Sequence, residues 1–169
     1  HSDTNQLNVN LMGSGAILNQ VIQAADILEK EYGISPDIWS VTSYKALYDN
    51  ARDVQRHNNL NPDKKETSHI RNLMGDNDGI YIAASDYVKA LPLSVAKYMP
   101  GDFAVLGTDG FGLSEGRASL RDHFEVDSRH IVWTTLVQLY EKGKLSKDVL
   151  SKAKKKLKIN SGKANPAAV

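Results

Sequence analysis

The chain has 169 residues, of which 41% are hydrophobic and 24% charged, and it contains no cysteine. Such a length and balance fit one globular α/β-sized domain with a sizeable core, and they exclude disulfides and thiolate metal sites, as suits a reducing compartment. Charges almost cancel at +1, and no apolar run approaches the ~20 residues that a membrane span needs.

His1-Ser2 reads as a tag remnant, and residues 1–6 as a leader to a domain expected over 7–161. Leu7, Val9 and Leu11 alternate as in a strand, and Gly13-Ser14-Gly15 turns the chain into a long helix. That helix puts Ile17, Leu18, Val21, Ile22, Ala25, Leu28 and Tyr32 on one stripe and stops at Gly33. Asp37 to Val41 is a second strand, after which Thr42 or Ser43 caps a helix through Ala51. His57 to Thr67 is polar and holds Pro62, so a loop is expected there. Gly79 to Ala84 is a continuous apolar run, the pattern of a strand covered on both faces. Pro92 suits the first turn of a short helix ending near Met99.

Phe103 to Leu106 is the fourth strand, with Ala104, Val105 and Leu106 expected to be buried. Ser114 is placed to cap a helix beginning at Glu115, and Asp127 to cap one with Ile131, Val132, Thr135, Leu136 and Leu139 facing inward. Ser146 caps a last helix with Val149, Leu150, Ala153 and Leu157 on one face. Nine lysines and one acid, Asp148, lie between Lys142 and Lys163. No aromatic residue interleaves them for base stacking, so they read as a solvated helix face rather than a nucleic-acid surface. Residues 162–169 are expected to be a flexible tail. Strands alternating with helices predict an α/β fold of three layers: a mainly parallel sheet with helices on both faces.

Candidate chemistry concentrates between Gly107 and Asp127. Glycines 107, 110 and 112 turn the backbone at the end of a strand, where open α/β sheets carry their sites. Asp109, Gly110, Phe111, Gly112, Ser114, Arg117, Arg121 and His123 are the candidate residues, in structural or interface roles. Phe111 has two roles open to it: an apolar anchor in a neighbouring chain or domain, or a ring folded back on the sheet edge. His123 is either a proton shuttle or a partly buried structural residue. Catalytic and metal roles are assigned to none. Ser114 lacks a nucleophile elbow, and His57, His69 and His130 lack metal-ligand spacing. Gly13-Ser14-Gly15 falls short of a dinucleotide fingerprint, since Leu18 stands where the third glycine belongs and no acid ends the second strand.

The segment TDGFG (Thr108 to Gly112), Ser114, R-x-x-L-R (Arg117 to Arg121) and HFEVD (His123 to Asp127) resembles the C-terminal domain of the homodimeric-type pyruvate dehydrogenase decarboxylase, in the transketolase superfamily. Leu11 to Gly15, the strand Asp37 to Ser43, ASDY at Ala84 to Tyr87 and Asn165-Pro166 extend the likeness over nearly the whole chain. The resemblance implies a transketolase C-terminal-like fold serving dimer architecture. It implies a bacterial, cytoplasmic enzyme that decarboxylates pyruvate and acetylates the lipoyl groups of the dihydrolipoamide acetyltransferase component. Its partners would be the remaining domains, a homodimer mate and that acetyltransferase; its cofactors would be thiamine diphosphate and Mg²⁺, held by domains absent here.

Two departures stand out. Leu113 occupies a place where the family carries arginine, and Arg56 to Pro62 reads RHNNLNP where the family has R-W-N-x-L-H-P. The thiamine signature of GDG followed by paired asparagines is also missing. An alternative reading is an autonomous α/β module that binds a small anion at the Gly13 and Gly110 turns.

Overall fold

Apolar strands without alternation can be buried only if both faces of their sheet are covered. The computed structural model of the protein describes residues 8–110 and 112–168. Its strands are β1 (Val9–Gly13), β2 (Asp37–Ser40), β3 (Ile80–Ala84) and β4 (Asp102–Leu106). They form one parallel sheet in the order β2-β1-β3-β4. Every residue of β1 and β3 is buried. The register aligns Ser40, Gly13, Ala84 and Leu106, so all four strands end level at one edge.

Odd and even positions of these strands feed two separate cores. Val9, Leu11, Ile80, Ile82 and Ala84 face the helices α1 (Leu18–Tyr32), α6 (Ser128–Glu141) and α7 (Lys147–Lys156). Met12, Tyr81 and Ala83 face α2 (Tyr44–Leu60), α3 (His69–Met74), and the stretch after α4 (Ala90–Leu93) that carries Val95 and Met99. The three-layer parallel architecture expected from the sequence is therefore present. Each fully buried aliphatic side chain contributes roughly 1.5–3 kcal/mol.

Close approach explains the turn after β1. A Cβ on Gly13 would lie 2.8 Å from the Leu18 Cα and 3.1 Å from Val21 Cγ2, so the first turn of α1 rests directly on the strand end. The turn is a packing device, and the residue in the third-glycine position is the one it packs against. Gly33 ends α1 as expected, in the left-handed conformation at φ 66°.

Local differences from the sequence reading have identifiable causes. Ile22 is 49% exposed, because the buried stripe of α1 runs through Gln20, Val21, Ala24, Ala25 and Leu28. His57 to Leu60, expected in a loop, complete α2; the chain leaves the helix only at Asn61, just before Pro62. Helix α3 was hidden by its shortness and begins where the Ser68 hydroxyl accepts from Arg71 N. β1 is buried throughout rather than alternating. β4 is half-buried instead of buried, since it lies at the sheet edge. Helix α5 (Arg117–His123) starts two residues after Glu115, with Gly116 at its cap and no side-chain cap, so Ser114 does not cap it.

The caps at Ser43, Asp127 and Ser146 all form as expected. Asp127 does most. Its Oδ1 accepts from His130 N at 3.0 Å and pairs with His130 Nδ1 at 2.7 Å, while Oδ2 accepts from Arg129 Nε at 3.0 Å. Arg129 also reaches Asp122. Burial alone would raise the Asp127 pKa, but the hydrogen bonds from His130 and Arg129 outweigh it and hold the carboxyl at about 2. All five residues expected inward on α6, Ile131, Val132, Thr135, Leu136 and Leu139, are buried.

A carboxylate depressed on folding stabilises the protein above its unfolded pKa, and that contribution is lost as pH falls through the folded value. Asp127 should therefore contribute on the order of 2 kcal/mol above about pH 5, vanishing toward pH 2. Asp127→Ala should cost about 2–3 kcal/mol at pH 7, from the lost cap and charge-assisted bonds, and much less at pH 2. Urea unfolding of both proteins across this range checks it; an equal cost at both pH values would contradict the ionic role.

Candidate functional site

The level ends of the strands bring three loops together: Ser14 to Ile17 after β1, Ser85 to Lys89 after β3, and Gly107 to Gly116 after β4. Backbone bonds stitch them. Ser14 N donates to Ala84 O at 3.2 Å, Ser85 N to Leu106 O at 3.1 Å, and Thr108 N to Tyr87 O at 2.9 Å. The Thr108 hydroxyl donates to Asp86 O at 2.5 Å.

Asp109 is the key of this arrangement. Its Oδ1 accepts from Lys89 N at 2.8 Å, and the Lys89 ammonium lies 3.9 Å from Oδ2. The carboxylate thus fixes the β3 loop to the β4 loop at the start of α4. Gly110 follows at φ 100°, in the region that favours glycine, and a Cβ there would stand 2.8 Å from Pro166 O. The expected tail thus carries a 3-10 turn, Pro166–Ala168, set against the glycine loop. Phe111 lies outside the described residues. Gly112 and Ser114 are exposed, and Leu113 is 48% exposed.

The remaining candidates separate by face. Arg117 and Arg121, one turn apart on α5, line a cavity of about 360 Å³ together with Asp86, Thr108 and an apolar floor that includes Ile17 and Phe124. His123 instead stacks edge-on against Phe124, at 4.8 Å between ring centres and 86° between planes. That is a packing position. Sequence reasoning missed Asp86 and Lys89 as members of the site. The available signal was their place one or two turns of chain after an apolar strand.

Asp122, Asp127 and His130 bring their ligand atoms within 4.8 Å of one another. The Arg129 guanidinium bonds both carboxylates, so their oxygens are engaged in an ionic cluster. Among the described residues, the carboxylates of the two Gly/Asp turns are already engaged by basic groups and are not arranged as a set of oxygen ligands for a magnesium-bound diphosphate. Asp109 is the one carboxylate of the Thr108-Asp109-Gly110 turn and is engaged by Lys89. Asp76, in the Gly75-Asp76-Asn77 turn, pairs with Arg71 at 3.1 Å. Among the described residues, no helix is long and apolar enough to cross a membrane.

The sheet order, the glycine turn after β4 and the α5 motif agree with a family model described as the transketolase-like TK C-terminal domain, which matches residues 1–127. The chain belongs to that family. Transketolase-like C-terminal domains with similar sequences occur in much longer proteins. The pyruvate dehydrogenase E1 component of Escherichia coli K12 is 42% identical over 160 residues, covering 94% of this chain and 18% of that protein. The component of the same name from Buchnera aphidicola subsp. Schizaphis graminum is 43% identical over 163 residues, 95% of this chain and 18% of that protein. That of Cupriavidus necator is 37% identical over 168 residues, 99% of this chain and 19% of that protein. The chain therefore spans less than a fifth of the length of these relatives. Their alignments cover so much of the chain that they include α6 and α7, beyond the stretch matched by the family model.

If Asp109 is the fastener of the two loops, Asp109→Ala should leave the Lys89 amide without its acceptor and destabilise the domain by about 1–3 kcal/mol. Hydrogen exchange at Lys89 should accelerate at the same time. Unchanged exchange there would show that another group holds the loop.

Proposed function

We propose that this chain is the C-terminal domain of a thiamine-diphosphate-dependent pyruvate dehydrogenase decarboxylase component. The observation that carries the reading is similarity over 94% or more of the chain to proteins named pyruvate dehydrogenase E1 component. In the complete bacterial, cytoplasmic enzyme the other domains bind thiamine diphosphate and Mg²⁺ and decarboxylate pyruvate. The acetyl unit then passes to lipoyl groups of the dihydrolipoamide acetyltransferase component. This domain contributes architecture: it packs on the other domains and on a homodimer mate.

The surface proposed for that contact surrounds the DGFG turn. Tyr87, Val88 and Leu113 expose 59%, 51% and 48% of their surface, although all three are apolar or aromatic. The Thr108 N–H to Tyr87 carbonyl bond joins their two loops, so they stand on one stitched platform. We propose that Asp109, Gly110, Gly112 and Ser114 shape this platform. Arginine at position 113 in similar proteins gives way to leucine here, which makes the platform more apolar.

Two measurements test the proposal. The isolated chain should show no saturable binding of thiamine diphosphate with Mg²⁺ by calorimetry, and no pyruvate decarboxylation; binding with a defined stoichiometry would overturn the architectural role. In the full-length enzyme, Tyr87→Asp combined with Leu113→Asp should weaken dimerisation by about 2 kcal/mol or more, as burying an unpaired charge in an interface does. Sedimentation should show this dissociation, with activity per dimer retained. An unchanged dimer would place the contact elsewhere.

A further inference from the structure

Strand order places a crevice between β1 and β3. The chain leaves β1 toward β2 on one side and continues through β3 to β4 on the other, so the loops after β1 and β3 diverge. In open parallel sheets such a reversal opens a ligand crevice at the carboxyl ends of the strands. The cavity of about 360 Å³ lies there: Ile17 comes from the β1 loop, Asp86 from the β3 loop, and Thr108 from the β4 loop. Its size is at the small end of the range for metabolite sites, ~300–1,000 Å³.

The polar lining is of two kinds. Arg117 and Arg121 are spaced four residues apart on α5, so they share one helical face, and both line the cavity. Neither forms an ion pair with a described residue, whereas Arg52, Arg71 and Arg129 each pair with an aspartate. Asp86 is likewise in no ion pair among the described residues, although it lines the same cavity. The Thr108 hydroxyl spends its proton on the Asp86 carbonyl, so toward the cavity it can only accept. One set of groups therefore offers donors only, and the other acceptors only. Leu120, Phe124 and Val126 supply an apolar floor, and Phe124 is almost fully buried.

We infer that this crevice is a binding site for a small carboxylate that also carries an amino or hydroxyl group. The carboxylate meets Arg117 and Arg121, the ligand's donor meets Asp86 and Thr108, and a short apolar body lies over Phe124. Guanidinium groups suit that task because they present paired donors to a planar anion. The site adjoins the apolar platform, since Thr108 lines the crevice and also bonds the Tyr87 carbonyl, but its ligand chemistry does not depend on the role proposed for that platform.

Backbone amide shifts of the isotopically labelled chain, titrated with single compounds, test the inference. Leucine supplies carboxylate, amine and apolar body; lactate carries a hydroxyl in place of the amine and shortens the body to a methyl. Propionate lacks the second donor, isobutylamine lacks the carboxylate, and inorganic phosphate is an anion alone. Saturable shifts at Ile17, Thr108 and Arg121 with leucine or lactate are expected, and comparing lactate with propionate, which differ only by the hydroxyl, isolates the donor that meets Asp86. Propionate, isobutylamine and phosphate should bind on the order of tenfold more weakly or less. Arg117→Gln with Arg121→Gln should lose a similar factor for leucine and lactate alike. Asp86→Asn should reduce the preference over propionate while leaving amide positions in β1 and β3 unshifted, which confirms an intact fold. No saturable shift with leucine or lactate, equal binding of phosphate, or binding indifferent to both arginines would overturn the site.

Discussion

Double-sided burial of β1 and β3 is the constraint on which the rest depends. Two adjacent five-residue strands without an exposed position commit the protein to two helical layers. They also commit it to right-handed crossovers, so each strand must be followed by a connection that returns over one face. Parallel registration then brings every outgoing loop to the same edge. The glycine turn, the Asp109 fastener and the switch-point crevice are all consequences of that one alignment.

The two cores divide the labour of the molecule. On one face, α1, α6 and α7 build a core of aliphatic side chains, held at its rim by the Asp127 cluster. On the other, α2, α3 and the segment after α4 make a layer with more aromatic and sulfur-containing residues, including Tyr44, Tyr81, Met12 and Met99. The buried Tyr44 hydroxyl has no hydrogen-bond partner, and burial pushes its pKa above the ordinary tyrosine value. Such a group costs stability where it stands. The first layer carries one such group as well, the Tyr32 hydroxyl, so each face of the sheet holds one buried donor without a partner among the described residues.

Signals that repeat along the chain were legible in the sequence. The apolar runs gave the strands, and Ser43, Asp127 and Ser146 announced their helices through side chains that bond a backbone N–H three residues on. Legibility failed where the deciding partner is distant in sequence. Ile22 matches a helical stripe, yet only the position of α6 determines which side of that stripe is covered. β4 has the composition of a central strand, and nothing local tells that no fifth strand pairs with it among the described residues. Helix α3, of six residues, is too short to display a period. At the site, Asp109 was singled out within its motif, but its bond to Lys89 spans twenty residues and two elements. Asp86 lay within the ASDY stretch, but nothing local tells that it shares a cavity with Arg117 and Arg121, more than thirty residues on.

Gly110 obeys two steric rules of different origin. One is internal to the backbone, the positive φ that disfavours any Cβ. The other is imposed from outside by the Pro166 carbonyl, and it exists only while the C-terminal 3-10 turn is seated. The two are separable in principle: a chain trimmed before Asn165 would retain the first and lose the second. Tolerance at position 110 is therefore a gauge of whether the end of the polypeptide is docked, so that a single residue in the glycine loop registers the state of a segment more than fifty positions away.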